Sequence, residues 1–489
     1  MNAISSGTLR TLRPSKWTGL PRWKAPDVRQ DDGHGIGWRI WTLVAVLFFA
    51  YMLVALRIHE RMLSNCWDLA IFEQAVRSYA HGMLPVSEVK GRNHPLLGDH
   101  FSPILALLAP AYMVWSSAKT LLIAQAGLLA ASVIPLALWV RRAFGQTAAL
   151  VIGSAYGLSW GIASAVGFDF HEWAFAVPLL AASLAALGQG RLRAASWWAM
   201  PMLLVKEDMG LAVCVIGLLI ARRGDRRTGL VTAGIGLLAS LLAVFVIIPA
   251  FSETGGYQYW FGMNSTGSGG LGTMLYDRTI GMITPLVKVR ALLLALVPTL
   301  FLALRSSIIW VAFPTFLWRF ASNHPPDWST GNHYSLLVMT IVFAAFIDAL
   351  VRRRPQPSSL RRYLAATVGV TLMLLPQFPL WQLVKADTWR DDIRIGVARS
   401  VMRLIPDDAT VQASNFLVPQ LANRTRVSMF GWYASPPNPE WIMVDTFVPL
   451  NRRWPQSFLQ ERDALAAVRA QGYTTVADNY GYVLLHRRG

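Results

Sequence analysis

The residues that could do chemistry sit in a few short segments of an otherwise apolar chain. Asp68 and Glu73 lie in "CWDLAIFEQAV", with His94, Asp99 and His100 in the stretch that follows. Asp169, His171 and Glu172 fall in "GFDFHEW", and Lys206, Glu207 and Asp208 form one triplet. His324, His333 and Tyr334 complete the set. A carboxylate of this kind can take a proton from a hydroxyl, and a lysine or hydrogen-bond donor can offset a developing anion. Ionisable groups at membrane depth are costly, so their default reading is functional.

A membrane bundle must position these groups. Long apolar runs recur along residues 39–381, and a bilayer about 30 Å thick demands such runs where a soluble core does not. Apolar residues make up 54% of the chain and charged residues 15%, which excludes an ordinary soluble enzyme. The 20 tryptophans suit two interfacial belts. A net charge of +18 would suggest nucleic acid in a soluble protein. Here the arginine clusters flank apolar runs and read as topology signals, so no nucleic-acid partner is expected.

Those clusters are Arg141/Arg142, Arg191/Arg193, Arg222/Arg223/Arg226/Arg227, Arg305, and Arg352–Arg354 with Arg361/Arg362, all expected in the cytoplasm. Residues 1–38 form a basic cytoplasmic tail. The run Trp38–Leu56 is too long, behind too long a tail, for a cleaved signal peptide, and reads as a retained first span. Further spans are expected near 119–140, 147–166, 173–188, 195–205, 209–221, 228–250, 286–304, 306–320, 335–351 and 362–382. That makes about 11, with the N-terminus inside and the C-terminus outside. Residues 194–221 read as two short helices, because one helix would bury Lys206, Glu207 and Asp208 at about 2.5–3.5 kcal/mol each. His100–Ser116, short and holding Pro103 and Pro110, reads as a helix at the outer interface. His59, His81, His94, His100, His171, His324, His333 and His486 then fall outside, and only His34 does not.

Beyond Lys385 the pattern changes. The β-type runs "ATVQAS", "RVSMF", "WIMVDT", "YTTVAD" and "YVLLHR" alternate with helical segments at Thr388–Leu404 and Pro455–Gln471, which predicts a small α/β domain. The fold class is therefore mainly α. A polytopic transmembrane helix bundle covers 39–384, and an extracytoplasmic α/β domain covers 385–489. No internal repeat, phosphate-binding P-loop, dinucleotide fingerprint or thiol pair is present, and Cys214 within an apolar run argues against a disulfide to Cys66.

"CWDLAIFEQAV", "DHFSPILALLAPAY", "FDFHEWAFAVPLL", "LLVKEDMGL", "NHYSLLV" and "IPDDATVQASNFLVPQLANRTRVSMF" resemble the membrane-protein family called domain of unknown function 2079, over about residues 40–485. The layout also resembles the wider GT-C glycosyltransferases. That resemblance implies an acid in the first outer loop, a flexible outer loop late in the bundle, an outer C-terminal domain and a polyprenyl-phosphate sugar donor. By its place after the first span, Asp68 matches the loop-one acid and would be the base, or would orient the acceptor. Lys206 matches a basic residue that faces the departing phosphate, with His333 and Tyr334 as added donors. Asp169, His171, Glu172, Glu207 and His100 would complete substrate binding, and the Gly-rich loop 253–272 would act as a lid.

Each residue also has a plainer reading. Asp68 could cap the helix that starts at Leu69. Glu73 could be an exposed or paired helix residue. Lys206 with Glu207 and Asp208 could be a structural ion cluster. Asp169, His171 and Glu172 could cap a helix end, and the Gly-rich loop could be a connector. His94, Asp99, His100, Asp169 and His171 would make a divalent-metal site if gathered, but no compact ligand spacing is present, so no cofactor is expected. The two sequons "NST" and "NRT" are a weak signal. The function expected is an integral-membrane glycosyltransferase that takes a lipid-linked sugar donor, with an extracytoplasmic glycan, lipid or protein as acceptor and membrane lipids around it. The alternatives are a transporter or lipid-translocating protein, and a GT-C-like scaffold without catalysis. Inverted repeats would favour a transporter, and none is visible.

Overall fold

The computed structural model describes residues 37–259, 279–282, 284–322 and 324–488. The basic tail, most of the Gly-rich loop and "NST" lie outside the described residues.

Helix formation follows the apolar runs. Among the described residues, four helices are long and apolar enough to cross a membrane: Trp38–Glu60, Ala118–Phe144, Arg226–Phe251 and His333–Arg353. A fifth is formed if Gln146–Gly157 and Trp160–Val166, bent by 50°, count as one span. Shorter apolar helices run over Trp173–Gly188, Met209–Arg222 and Ser307–Ala321. The expected positions are thus mostly helical, but the count of about 11 is not reached on length and composition. Prolines and irregular turns break several of the runs, as at Pro298 and Leu300–Phe301, where both residues take positive φ.

Burial separates inner from outer helices. His333–Arg353 is the axis of the bundle, with 94% of its most apolar stretch buried. Trp38–Glu60 and Arg226–Phe251 are equally apolar but only 33% buried, which is the signature of a lipid-facing helix. Close approach relies on small residues. A Cβ on Gly217 would collide with the Ala233 backbone, and one on Gly188 with the Trp139 ring. At the far end of the axis from His333, Asp348 is buried between Arg223 at 3.4 Å and Arg352 at 2.8 Å, and it accepts the Ser306 hydroxyl at 2.6 Å.

Residues 194–221 break as expected. Leu192–Ala199 and a 3₁₀ turn at Met200–Leu204 precede Met209–Arg222, and Lys206–Asp208 occupy the tip. His100–Ser116 holds a 3₁₀ turn, Pro103–Leu108, and a short helix, Ala109–Val114.

A two-stranded ladder, β1 (Val86–Ser87) and β2 (His94–Pro95), lies in the loop after the first helix. All five C-terminal strands form: β3 (Thr410–Ala413), β4 (Arg426–Met429), β5 (Trp441–Asp445), β6 (Tyr473–Asn479) and β7 (Tyr482–Arg487). Their order is β4-β3-β5-β7-β6, with β3 parallel to both neighbours and β7 antiparallel to both of its own. The helices flanking the sheet are Ile393–Met402 and Phe458–Ala470. One face of this sheet shares a core with the Ile71–Ala80 helix, where Leu69, Ala75 and Val76 meet Val411, Met429 and Leu484. Gln74 donates to the Val427 carbonyl at 2.8 Å across the same seam. The C-terminal unit therefore braces the loop that carries Asp68.

Candidate active site

Asp68 sits in the tight turn Cys66–Ala70 with φ 68° and ψ −74°, following Trp67 in a polyproline-like conformation. A non-glycine residue held there is strained, and such strain persists only where the surroundings impose it. Three hydrogen bonds impose it. Asp169 Oδ2 accepts the Asn65 amide at 2.8 Å. Asn415, from the C-terminal unit, accepts the Cys66 amide at 2.9 Å and donates to Asn65 Oδ1 at 3.1 Å. The turn is thus pinned on its N-terminal side, and Asp68 projects beyond it.

The Asp68 carboxylate makes no capping bond, and among the described residues it accepts no hydrogen bond. Its side chain keeps 23% of its exposure. Burial, then the charge of Glu172, push its carboxyl up to about 7, against the pull of Lys206, Lys90 and His100. A carboxylate poised near neutrality and not held by a hydrogen bond is suited to proton transfer.

Around it the other groups form a chain of contacts. His333 Nδ1 lies 3.6 Å from Asp68 Oδ2. The His333 ring stacks on His171 at 3.6 Å and 25°. His171 Nδ1 accepts the Trp173 amide at 3.3 Å, so its 3.2 Å approach to Glu172 Oε2 lacks a proton to share. Burial, then the nearby His333 and Lys206, hold the His171 imidazole below its usual value, in the neutral form. Glu172 is fully buried, and Lys206 donates to it at 2.9 Å. Burial opposes the Lys206 charge, but Glu172, Glu207 and Asp208 raise its pKa above the ordinary lysine value, so it stays cationic. Lys206 Nζ also lies 5.6 Å above the Trp173 ring.

A second branch runs outward. His100 Nδ1 meets Glu207 Oε1 at 2.7 Å, and the Phe101 amide and Tyr257 hydroxyl donate to the same carboxylate at 3.1 Å each. Burial works against ionisation of Glu207, yet His100 brings it down to about 2. Tyr259 stacks on His100 at 4.3 Å and donates to Asp99, which pairs with Lys90 at 3.1 Å. Residues 257 and 259 tether the start of the Gly-rich loop to this branch.

The structure thus gathers Asp68, His171, Glu172, Lys206, His333 and Tyr334, whose ring lies 4.3 Å from His333. His100 and Glu207 adjoin them. Asp169 differs from a pocket-lining role. It is buried, and its carboxylate points back to Asn65 to hold the turn. Burial pushes its carboxyl well up despite that bond. Glu73 is fully buried rather than exposed, and that burial pushes its carboxyl up to about 8 although the Tyr112 hydroxyl, donating at 3.1 Å, opposes the shift. The metal set considered from sequence is not gathered, since His94 faces Glu253 at 3.5 Å and Asp99 faces Lys90. Instead Asp68, His171 and His333 each offer one atom, all within 4.8 Å of one another. Two imidazoles and a carboxylate fit a divalent transition cation by donor type.

Sequence reasoning missed four groups. Gln125 donates to the Asp169 carbonyl at 2.6 Å and accepts the His171 amide at 2.9 Å, fixing the "FDFHEW" turn. Arg319 is fully buried, and donates to the Asp327 carbonyl at 2.8 Å and to the Tyr334 carbonyl at 3.0 Å. Asn65 and Asn415 set the Asp68 turn. A lone glutamine and a lone arginine inside apolar runs were the available signals.

The fold matches that of solved structures. ArnT from Cupriavidus metallidurans bound to undecaprenyl phosphate aligns with a TM-score of 0.51 at 14% identity, over 90% of this chain and 97% of that one. The same enzyme in the apo state aligns with a TM-score of 0.48 at 14% identity over the same shares. No curated protein sequence matches the chain. The bundle with its small C-terminal sheet is therefore an ArnT-like fold. The model of the family described as "Predicted membrane protein (DUF2079)" matches residues 58–484, and the chain belongs to that family.

Proposed function

We propose that this protein is an integral-membrane glycosyltransferase that moves a sugar from a polyprenyl-phosphate donor to an extracytoplasmic glycan, lipid or protein acceptor. The observation that carries the reading is Asp68, strained, accepting no hydrogen bond among the described residues and poised near neutrality, near the Lys206–Glu172 pair. The architecture supports it, because an ArnT-like fold is known with a polyprenyl phosphate bound.

In the reaction proposed, the acceptor hydroxyl attacks the anomeric carbon of the donor sugar. The new carbon–oxygen bond forms as the bond to the lipid phosphate breaks, and the phosphate leaves with the electron pair. Asp68 takes the hydroxyl proton. Lys206, with Glu172 holding its ammonium in place, offsets the charge on the departing phosphate. His333 and Tyr334 add donors, while the stacked rings of His171 and His333 shape the wall behind the sugar. Glu207 and His100 anchor Tyr257 and Tyr259 beside the site. A divalent ion held by Asp68, His171 and His333 would supply Lewis-acid assistance to a phosphate oxygen. The scheme above needs none.

In this reading the shorter apolar helices, together with Leu192–Ala199, Leu286–Leu296 and Pro357–Leu374, cross the bilayer beside the longer ones, giving about 11 spans. The N-terminus is cytoplasmic, and the 385–489 unit and Asp68 face outward. Transfer from a polyprenyl-phosphate sugar in reconstituted membranes, with Asp68→Asn as the comparison, tests the proposal. Transfer by the wild type that Asp68→Asn leaves intact removes the base assignment, and a wild type inactive with every lipid-linked sugar removes the enzyme reading.

A further inference from the structure

A basic cavity of about 550 Å³ opens in the C-terminal unit, sharing no residue with the Asp68 cluster. Its lining includes Arg399, Arg403, Arg424, Asp407, Gln420 and Ile405. The three guanidinium groups are not equivalent. Arg424 is committed, donating to the Met402 carbonyl at 2.6 Å, the Ile405 carbonyl at 2.7 Å and Asp407 at 2.9 Å. Arg399 and Arg403 are exposed and stand four residues apart at the end of the Ile393–Met402 helix. Arg399 donates to the Glu60 carbonyl at 3.3 Å, and Arg403 to the Ser400 hydroxyl at 2.9 Å. Among the described residues no carboxylate is within 4.0 Å ion-pair distance of either. Two like charges at this spacing repel unless an anion lies between them.

The cavity lies beside the ends of two candidate spans. Gln420 donates to the His59 carbonyl at 2.9 Å, at the end of Trp38–Glu60. Lys119, at the start of Ala118–Phe144, pairs with Glu60 at 2.7 Å. Asn423 donates to the Ser116 carbonyl at 3.3 Å and ties the rim to an exposed apolar lip formed by Met113, Val114 and Trp115. Leu404, next to Arg403, is half exposed as well. Guanidinium groups match phosphate oxygens in geometry, and an apolar lip at the same depth suits acyl chains.

We propose that this cavity binds the phosphate of an anionic membrane lipid, whose chains run past Met113–Trp115. The apolar lip is the reason for choosing a lipid over a soluble phosphate. Because the C-terminal unit supplies Asn415 to the Asp68 turn, a lipid held here also steadies that unit on the bilayer.

The test is native mass spectrometry of the detergent-purified full chain titrated with phosphatidylglycerol or phosphatidylcholine. In Arg399→Gln/Arg403→Gln the apparent affinity for phosphatidylglycerol falls at least about tenfold, as expected for two basic groups at a lipid surface. Phosphatidylcholine adducts stay unchanged, and Arg399→Lys/Arg403→Lys retains part of the preference. A thermal melt of each variant guards against misfolding. If the double variant melts early, Arg403→Gln alone, which loses only the bond to Ser400, gives the reading. Unchanged phosphatidylglycerol affinity in folded variants overturns the proposal. Millimolar inorganic phosphate that displaces the lipid completely also overturns it, by making the ligand a soluble anion.

Discussion

Asp68→Asn is expected to separate stability from activity. The substitution keeps the side-chain shape and breaks no hydrogen bond, since none is made to this carboxylate. The wild-type carboxyl is pushed up to about 7 by burial first and by Glu172 second. Measured from an ordinary aspartate value of about 3.9, and at 1.36 kcal/mol per pH unit, this is at most about 4 kcal/mol. The 23% exposure of the side chain lets solvent screen the charge, which brings the figure to about 2 kcal/mol. A raised carboxylate pKa acts against folding. The penalty is absent below about pH 4, grows as the unfolded chain ionises, and is complete above about pH 7. Asp68→Asn should therefore melt at a higher temperature than wild type at pH 8, and the gap should close toward pH 4. At pH 8 its glycosyl transfer should fall by roughly 10²–10⁴-fold relative to wild type, because the base is gone. Wild-type transfer should rise with pH through about 7 as Asp68 ionises. The assays are thermal melts in detergent across pH and transfer in proteoliposomes. An Asn variant that melts lower at pH 8, or a wild-type rate that falls with pH through 7, would refute the account of this carboxylate.

Lys206→Met should raise the KM for the lipid-linked donor and leave Glu172 unpaired in the interior, at a cost of about 3–5 kcal/mol in stability. Adding Glu172→Gln should restore the melting temperature without restoring the donor KM, and recovery of both would make Lys206 a purely structural partner. Treatment with a chelator should leave transfer intact. Loss that manganese or magnesium reverses would instead make Asp68, His171 and His333 a working metal site. A reporter fused after Gly489 should be active outside the cytoplasm, and cytoplasmic activity would remove the outward orientation of the site.

The apolar runs and their arginine flanks were enough to identify a membrane protein, because a bilayer imposes a length and a charge bias that no other solvent does. Local signals also carried the C-terminal strands, where β-branched runs lie between turn residues, and the break at Lys206–Asp208, where three charges could not sit in mid-span. The polar segments that converge were legible as well, since each is an ionisable exception in an apolar setting. What their side chains do there was not. Asp169 and Asp68 both stand in polar turns, yet one holds the backbone of the other's loop and only Asp68 faces the open side. Burial of Lys206 against Glu172, and the stack of His171 on His333, depend on how separate turns dock. The partners that force Asp68 into its strained turn lie far off in the chain, such as Asn415, 349 residues from Cys66. Sequence spacing fixes periodicity and local turns, whereas the direction of a polar side chain is set by whichever distant donor or acceptor the packed bundle brings to it.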